Sequence, residues 1–209
     1  MVEMIIKDLG PTVVSVWDGL RPVTKKMLVG ALQSVSSTPA TNPAQKFSYD
    51  AHADWELSRL LSAVDEQSKK WAKAANSAKL DELSKLAETC VRLLEAQSGS
   101  AEVFIQLAER SLAKHDYAKL DKLSDRLLEH FSAGEIAEIV RQTEMPQIRA
   151  IAYETLSMIP VSALTPLLED PLYSDIVANA LEQKAFEYGS EEARDILEQW
   201  DAADNEQNE

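Results

Sequence analysis

The chain has 209 residues, of which 45% are hydrophobic and 27% charged, and its formal net charge is −14. That length is enough to bury a sizeable core, and the balance excludes a wholly disordered chain. The lone cysteine, Cys90, excludes an intramolecular disulfide and a multi-cysteine metal site. No stretch approaches the run of about 20 apolar residues that a membrane span needs.

With only six glycines and few runs of β-branched residues, the composition reads as all-α. The charge is unevenly placed. Residues 1–50 hold five Lys/Arg against four Asp/Glu, whereas residues 170–209 hold two Lys/Arg against twelve Asp/Glu. Such a field repels phosphate backbones and attracts basic surfaces, so the expected partner is a protein of basic character and not nucleic acid or membrane. No basic start followed by an apolar run and a cleavage site opens the chain, and the expected location is cytoplasmic.

In chain order, residues 1–35 read as a helical lead-in. Gly10-Pro11 breaks the chain and Pro11 opens a helix over Thr12–Leu20; Arg21-Pro22 interrupts, and Val23–Val35 restarts. Residues 36–46, rich in Ser, Thr, Pro and Asn, read as a linker to the body at 47–200.

A long helix runs from Asp54 to Ala74 with Trp55, Leu57, Leu60, Leu61, Val64 and Trp71 on its apolar face, Asp54 or Ser58 capping its start. Trp55 and Trp71 are expected in the core. After a turn at Asn76-Ser77, Lys79–Gln97 carries Leu83, Leu86, Ala87, Cys90 and Leu94 on one stripe, so Cys90 is expected to be a buried small hydrophobe. Ser98-Gly99-Ser100 ends that helix and offers Ser100 as the next N-cap.

Helices then follow at Ala101–Lys114, Ala118–Phe131, Ile136–Gln142, from Pro146 through Leu156, at Ala163–Glu169 and at Ile176–Tyr188. Ser132-Ala133-Gly134-Glu135 is a capping signature. A final helix ends near Trp200, and residues 201–209 read as an acidic disordered tail.

Internal echoes run through this series. Ala78-Lys79-Leu80-Asp81-Glu82-Leu83-Ser84 matches Ala118-Lys119-Leu120-Asp121-Lys122-Leu123-Ser124 at six of seven positions. Gln147-Ile148-Arg149-Ala150-Ile151-Ala152 is echoed by Asp175-Ile176-Val177-Ala178-Asn179-Ala180. Ala101 to Ala108 followed by His115-Asp116-Tyr117-Ala118 resembles a tetratricopeptide helix-turn-helix. Leu164 to Pro171 followed by Ile176 to Leu181 is similar to a HEAT repeat. The resemblance covers about half the chain and implies a right-handed stack of antiparallel helix pairs, an α-α superhelix.

Catalytic chemistry is not spelled out. The histidines His52, His115 and His130 follow Tyr49, Leu112 and Leu127 at three residues' distance, so the Glu-x-x-His of helical di-metal sites does not occur. Phosphate-cradling glycine loops and serine elbows do not occur either. Asp50-Ala51-His52-Ala53-Asp54 is the one local ligand-like cluster, and it reads as a helix start.

No cofactor, metal or catalytic residue is therefore expected. The reading is an interaction or scaffold protein that binds a partner protein through a helical-repeat surface, with Asp121, Asp125, Glu154, Glu182 and Trp200 as contact residues. The alternatives are an acidic inhibitor or DNA mimic seated on a basic site, and an enzyme whose site is assembled from dispersed residues.

Overall fold

A computed structural model describes residues 6–36, 49–73 and 77–207. The linker expected at 36–46 and the turn at Asn76 fall almost entirely outside the described residues. Within them the protein is all-helical: α1 (Pro11–Gly19), α2 (Pro22–Ser36), α3 (Ala51–Lys73), α4 (Ser77–Gln97), α5 (Ala101–Ala113), α6 (Tyr117–His130), α7 (Ala133–Gln142), α8 (Pro146–Met158), α9 (Val161–Leu164), α10 (Ser174–Glu187) and α11 (Glu191–Gln207), with a 3-10 turn at Thr165–Leu167. No described helix is long and apolar enough to cross a membrane. The chain forms two compact units, Met1–Ser98 and Gly99–Glu209, and the division falls inside the stretch read as one body. The 40-residue echo accordingly sits on helices of different units, α4 and α6.

In the first unit, α3 packs against α1, α2 and α4, and α2 also packs on α4. The core comprises Val13, Trp17, Leu28, Leu57, Leu60, Leu61, Val64, Leu83, Leu86, Cys90 and Leu94. Cys90 is fully buried, as its stripe predicts. Gly10 precedes Pro11 with φ 101°, and a Cβ there would lie 2.7 Å from the Gln67 side chain, so this turn needs glycine on two counts.

Trp55 departs from expectation. It is 53% exposed, with the Arg59 guanidinium 5.2 Å from its ring centroid and His52 at 5.5 Å. The buried stripe of α3 runs through Ala53, Glu56, Leu57, Leu60, Leu61, Val64 and Gln67, and Trp55 lies about 200° around the helix from Leu57. Trp71 is half-buried, with Lys79 5.2 Å from its ring. Neither Asp54 nor Ser58 caps α3. The helix begins earlier, and Asp50 Oδ1 accepts from the Ala53 N–H at 2.9 Å.

In the second unit, α5 packs on α6 and α7, α6 on α8, α7 on α8, α8 on α10, and α10 on α11. Leu107, Phe104, Ile136, Ile139, Ile148, Leu156, Val177 and Leu181 are core residues. The motifs Gln147–Ala152 and Asp175–Ala180 occupy the same positions, second to seventh, of α8 and α10. Both put a fully buried alanine, Ala152 and Ala180, at the seventh.

Ser132 caps α7 by accepting from the Glu135 N–H at 3.2 Å. Asp116 caps α6 through Lys119 N–H, after His115 has turned the chain in the left-handed region at φ 56°. Ser100 makes no side-chain cap on α5. The Glu135 carboxylate does so from α7, accepting from Ala101 N–H at 2.7 Å. The helix expected over Ala163–Glu169 is cut to one α turn and a 3-10 turn, because Pro166 has no N–H to continue it. Leu167 is correspondingly only half-buried. The last helix continues past Trp200 to Gln207, within the stretch read as a disordered tail.

Candidate functional site

The second helices of consecutive pairs, α6, α8 and α10, bury the same part of their circumference. Leu120, Leu123 and Leu127 are buried on α6, Ile148, Ala152 and Leu156 on α8, and Val177, Ala180 and Leu181 on α10. At 100° per residue the ninth position falls on the opposite side of α6 and α8, and on α10 at the edge of the buried face, about 40° beyond the buried Ala178. Those ninth positions are Asp125, Glu154 and Glu182, and all three are exposed. Asp121, one turn earlier on α6, is exposed on the same stripe. Three of the five contact residues expected from sequence thus share one register on three adjacent helices, and Asp121 lies one turn away on the α6 stripe. Trp200 does not join them: it is half-buried on α11, which packs against α10.

A second row accompanies the first. About one turn beyond each acid stands an exposed large apolar side chain: Met158 and Phe186 at the thirteenth position of α8 and α10, and Leu128 at the twelfth of α6, turned about 100° from their register. Their exposures are 52%, 48% and 91%. Sequence reasoning missed these residues, since it scored apolar positions only as core. The available signal was their spacing of three or four from an acid on the polar stripe.

The alignment of α8 and α10 is fixed by a hydrogen bond. Lys184 Nζ, at the eleventh position of α10, donates to the carbonyl of Ser157, the twelfth of α8, at 2.9 Å. That bond occupies the Lys184 charge at the C-terminal end of α8, where a cation is favoured by the helix dipole. Arg149 is likewise occupied, donating to the Thr143 carbonyl at 2.6 Å.

The second unit also has an open cleft of about 450 Å³ at the N-terminal ends of α5 and α7, with Glu102, Glu135, Glu138 and Tyr173 in its lining. Glu135 is committed to Ala101 N–H. Glu138 accepts from Arg141 Nε and Nη2 at 2.6 and 2.5 Å, from Gln142 at 2.5 Å and from the Tyr173 hydroxyl at 3.1 Å. Arg141 is the main cause that holds the Glu138 carboxyl down at about 2; Tyr173 is pushed up by burial and by the same carboxylate. A carboxylate so satisfied is a poor general base at neutral pH.

The first unit holds the other dense polar cluster. Arg21 donates to Glu56 from its backbone N–H (2.6 Å) and from Nε (3.0 Å), and its Nη1 and Nη2 grip Asp50 at 2.9 and 2.7 Å. The Thr24 hydroxyl donates to Glu56, and the Tyr49 hydroxyl to Asp54. Asp50 lies well below the usual carboxylate range because of Arg21. Burial works against ionisation of Glu56, yet Thr24 and Arg21 outweigh it and its net shift is downward. The cluster Asp50–Asp54 thus closes a helix start against α2. Among the described residues no group of three or more His, Cys, Asp or Glu is placed to hold a metal ion.

Compared with protein-family models, curated proteins and solved structures, the chain matches none of them.

Proposed function

We propose that the protein is an interaction or scaffold protein of the helical-repeat type, which binds a basic partner protein through the face formed by α6, α8 and α10. The observation that carries this reading is the common register of Asp125, Glu154 and Glu182 on three adjacent helices, each exposed. Connections of two to six residues favour antiparallel neighbours, so alternate helices run the same way and equivalent positions line up across them. The order of helix contacts fits a HEAT-like or tetratricopeptide-like stack of pairs, in which side chains of one layer form a continuous recognition surface. Acids one helix apart attract a basic partner and speed its encounter at low salt.

The test is a paired affinity capture from source-cell lysate, at low and high salt, with the wild-type chain and the triple variant Asp125→Lys, Glu154→Lys, Glu182→Lys. All three positions are exposed, so the variant keeps its core. Basic proteins held by the wild type at low salt and missing from the variant support the reading. The same proteins on both baits, or none on either, overturn it.

A further inference from the structure

Resting on that reading, we infer the class of partner: a basic amphipathic helix that lies across α6, α8 and α10, its apolar stripe on Leu128, Met158 and Phe186 and its Lys or Arg flank on Asp125, Glu154 and Glu182. Phe186 is 91% exposed, and with Leu128 and Met158 it gives each of three adjacent helices an unburied large apolar group at its C-terminal end. Apolar groups gathered on one face and bordered by charge mark binding surfaces, whereas scattered ones need no explanation.

The geometry selects a helix. Neighbouring packed helices stand about 8–10 Å apart, so the apolar row repeats at about that interval. Residues i and i+7 of a helix are separated by about 10.5 Å, which matches the row with one apolar side chain for each of α6, α8 and α10. The acid row runs one turn, about 6 Å, to the N-terminal side of the apolar row, which is the offset between the apolar stripe and the flank of a helix laid across both.

The surface is built from side chains of α-helices whose interior backbone groups are already hydrogen-bonded. An extended peptide would find few backbone partners there, whereas a helix brings its own bonds satisfied. Charge fixes the sign of the partner's flank. The basic groups nearest the rows are Lys184, committed to the Ser157 carbonyl, and Lys122, Arg126 and His130 on α6, so the acidic excess lies on α8 and α10, where Glu154, Glu182 and Glu187 face no other cation in the last two turns. Glu129 and Glu187, exposed at the ends of α6 and α10, extend the acidic border.

The experiment uses the full chain and a synthetic Leu/Lys peptide of about 18 residues, with Leu at helical spacing. Controls are a scrambled isomer of the same composition and a Leu/Glu version. Binding is read by calorimetry, and peptide helicity by circular dichroism. The amphipathic Leu/Lys peptide is expected to bind at least about tenfold tighter than its isomer and to gain helicity, with the Leu/Glu version silent. Phe186→Ser and Met158→Ser should each weaken it about fivefold or more, and Glu154→Lys with Glu182→Lys at least about tenfold.

Equal binding of the scrambled isomer, or Phe186→Ser binding like wild type, would overturn the helical partner. If no peptide binds while the triple charge reversal still strips proteins from the captured set, the inference falls and the interaction reading stands. If both experiments are negative, both fall.

Discussion

Arg21 holds Glu56 twice, through its backbone N–H at 2.6 Å and its guanidinium Nε at 3.0 Å. Glu56 is 1% exposed and also accepts from the Thr24 hydroxyl, so one buried carboxylate ties the α1–α2 junction to α3. Replacing it by Ala strips three donors of their acceptor inside a packed interface. We expect Glu56→Ala to cost roughly 2–3 kcal/mol of stability. Glu56→Gln, which keeps an acceptor and the volume, should cost less. Urea unfolding of the two variants measures the difference, and an unchanged Glu56→Ala midpoint would mean that the junction is held otherwise.

That cluster in the first unit and Glu138 in the second make stability depend on pH with a definite sign. Asp50, Glu56 and Glu138 all titrate below their usual range in the folded chain, so the unfolded chain binds protons more readily. Their contribution is complete above the unfolded values of about 4 to 4.5 and is lost as pH falls through the folded ones. For Glu138 that window ends at about 2. Unfolding followed from pH 7 down to pH 3, approximate limits set by the usual carboxylate values, should show stability falling steeply below about pH 5. A double variant Asp50→Asn, Glu56→Gln should fall less steeply; parallel curves would contradict the assignment.

Two leucines with similar sequence settings separate in the structure. Leu107 is 3% exposed in the α5 core, while Leu167, on the 3-10 turn, is half-buried. A buried aspartate without a partner is among the costliest single changes, so Leu107→Asp should lose about 4 kcal/mol or more, or fail to fold. Leu167→Asp should lose about 1 kcal/mol, since the side chain can turn to water. Thermal melts decide this, and equal losses would mean that Leu167 is buried as deeply as Leu107.

Helix existence was legible because 3.6-residue periodicity is a local property of the chain. What escaped were features set by a partner distant in sequence. Glu56 lies on the apolar stripe of α3, but nothing local says that Arg21 and Thr24 meet it there. The spacing groups Trp55 with the apolar face of α3, but at about 200° from Leu57 it falls outside the buried stripe. Pro166 was read within a helix that its missing N–H breaks. The acid row was visible residue by residue, whereas its alignment with Leu128, Met158 and Phe186 required the register of three helices.

Ser132 and Glu135 open α7 as half of a capping box: Ser132 accepts from Glu135 N–H, but the carboxylate that would return the bond reaches to Ala101 instead, at 2.7 Å. One residue therefore takes part in the starts of two helices, α5 and α7. Losing an N-cap acceptor costs about 1 kcal/mol, so Ser132→Ala and Glu135→Ala should each lose about that much. Coupling between them follows if the Ser132 cap holds the first turn of α7 in place and thereby aims Glu135 at Ala101. The double variant should then lose less than the sum of the singles by at least about 0.5 kcal/mol. Strict additivity in a double-mutant cycle, measured by urea unfolding, would show that the two caps form independently and that Glu135 reaches Ala101 without help from the turn that carries it.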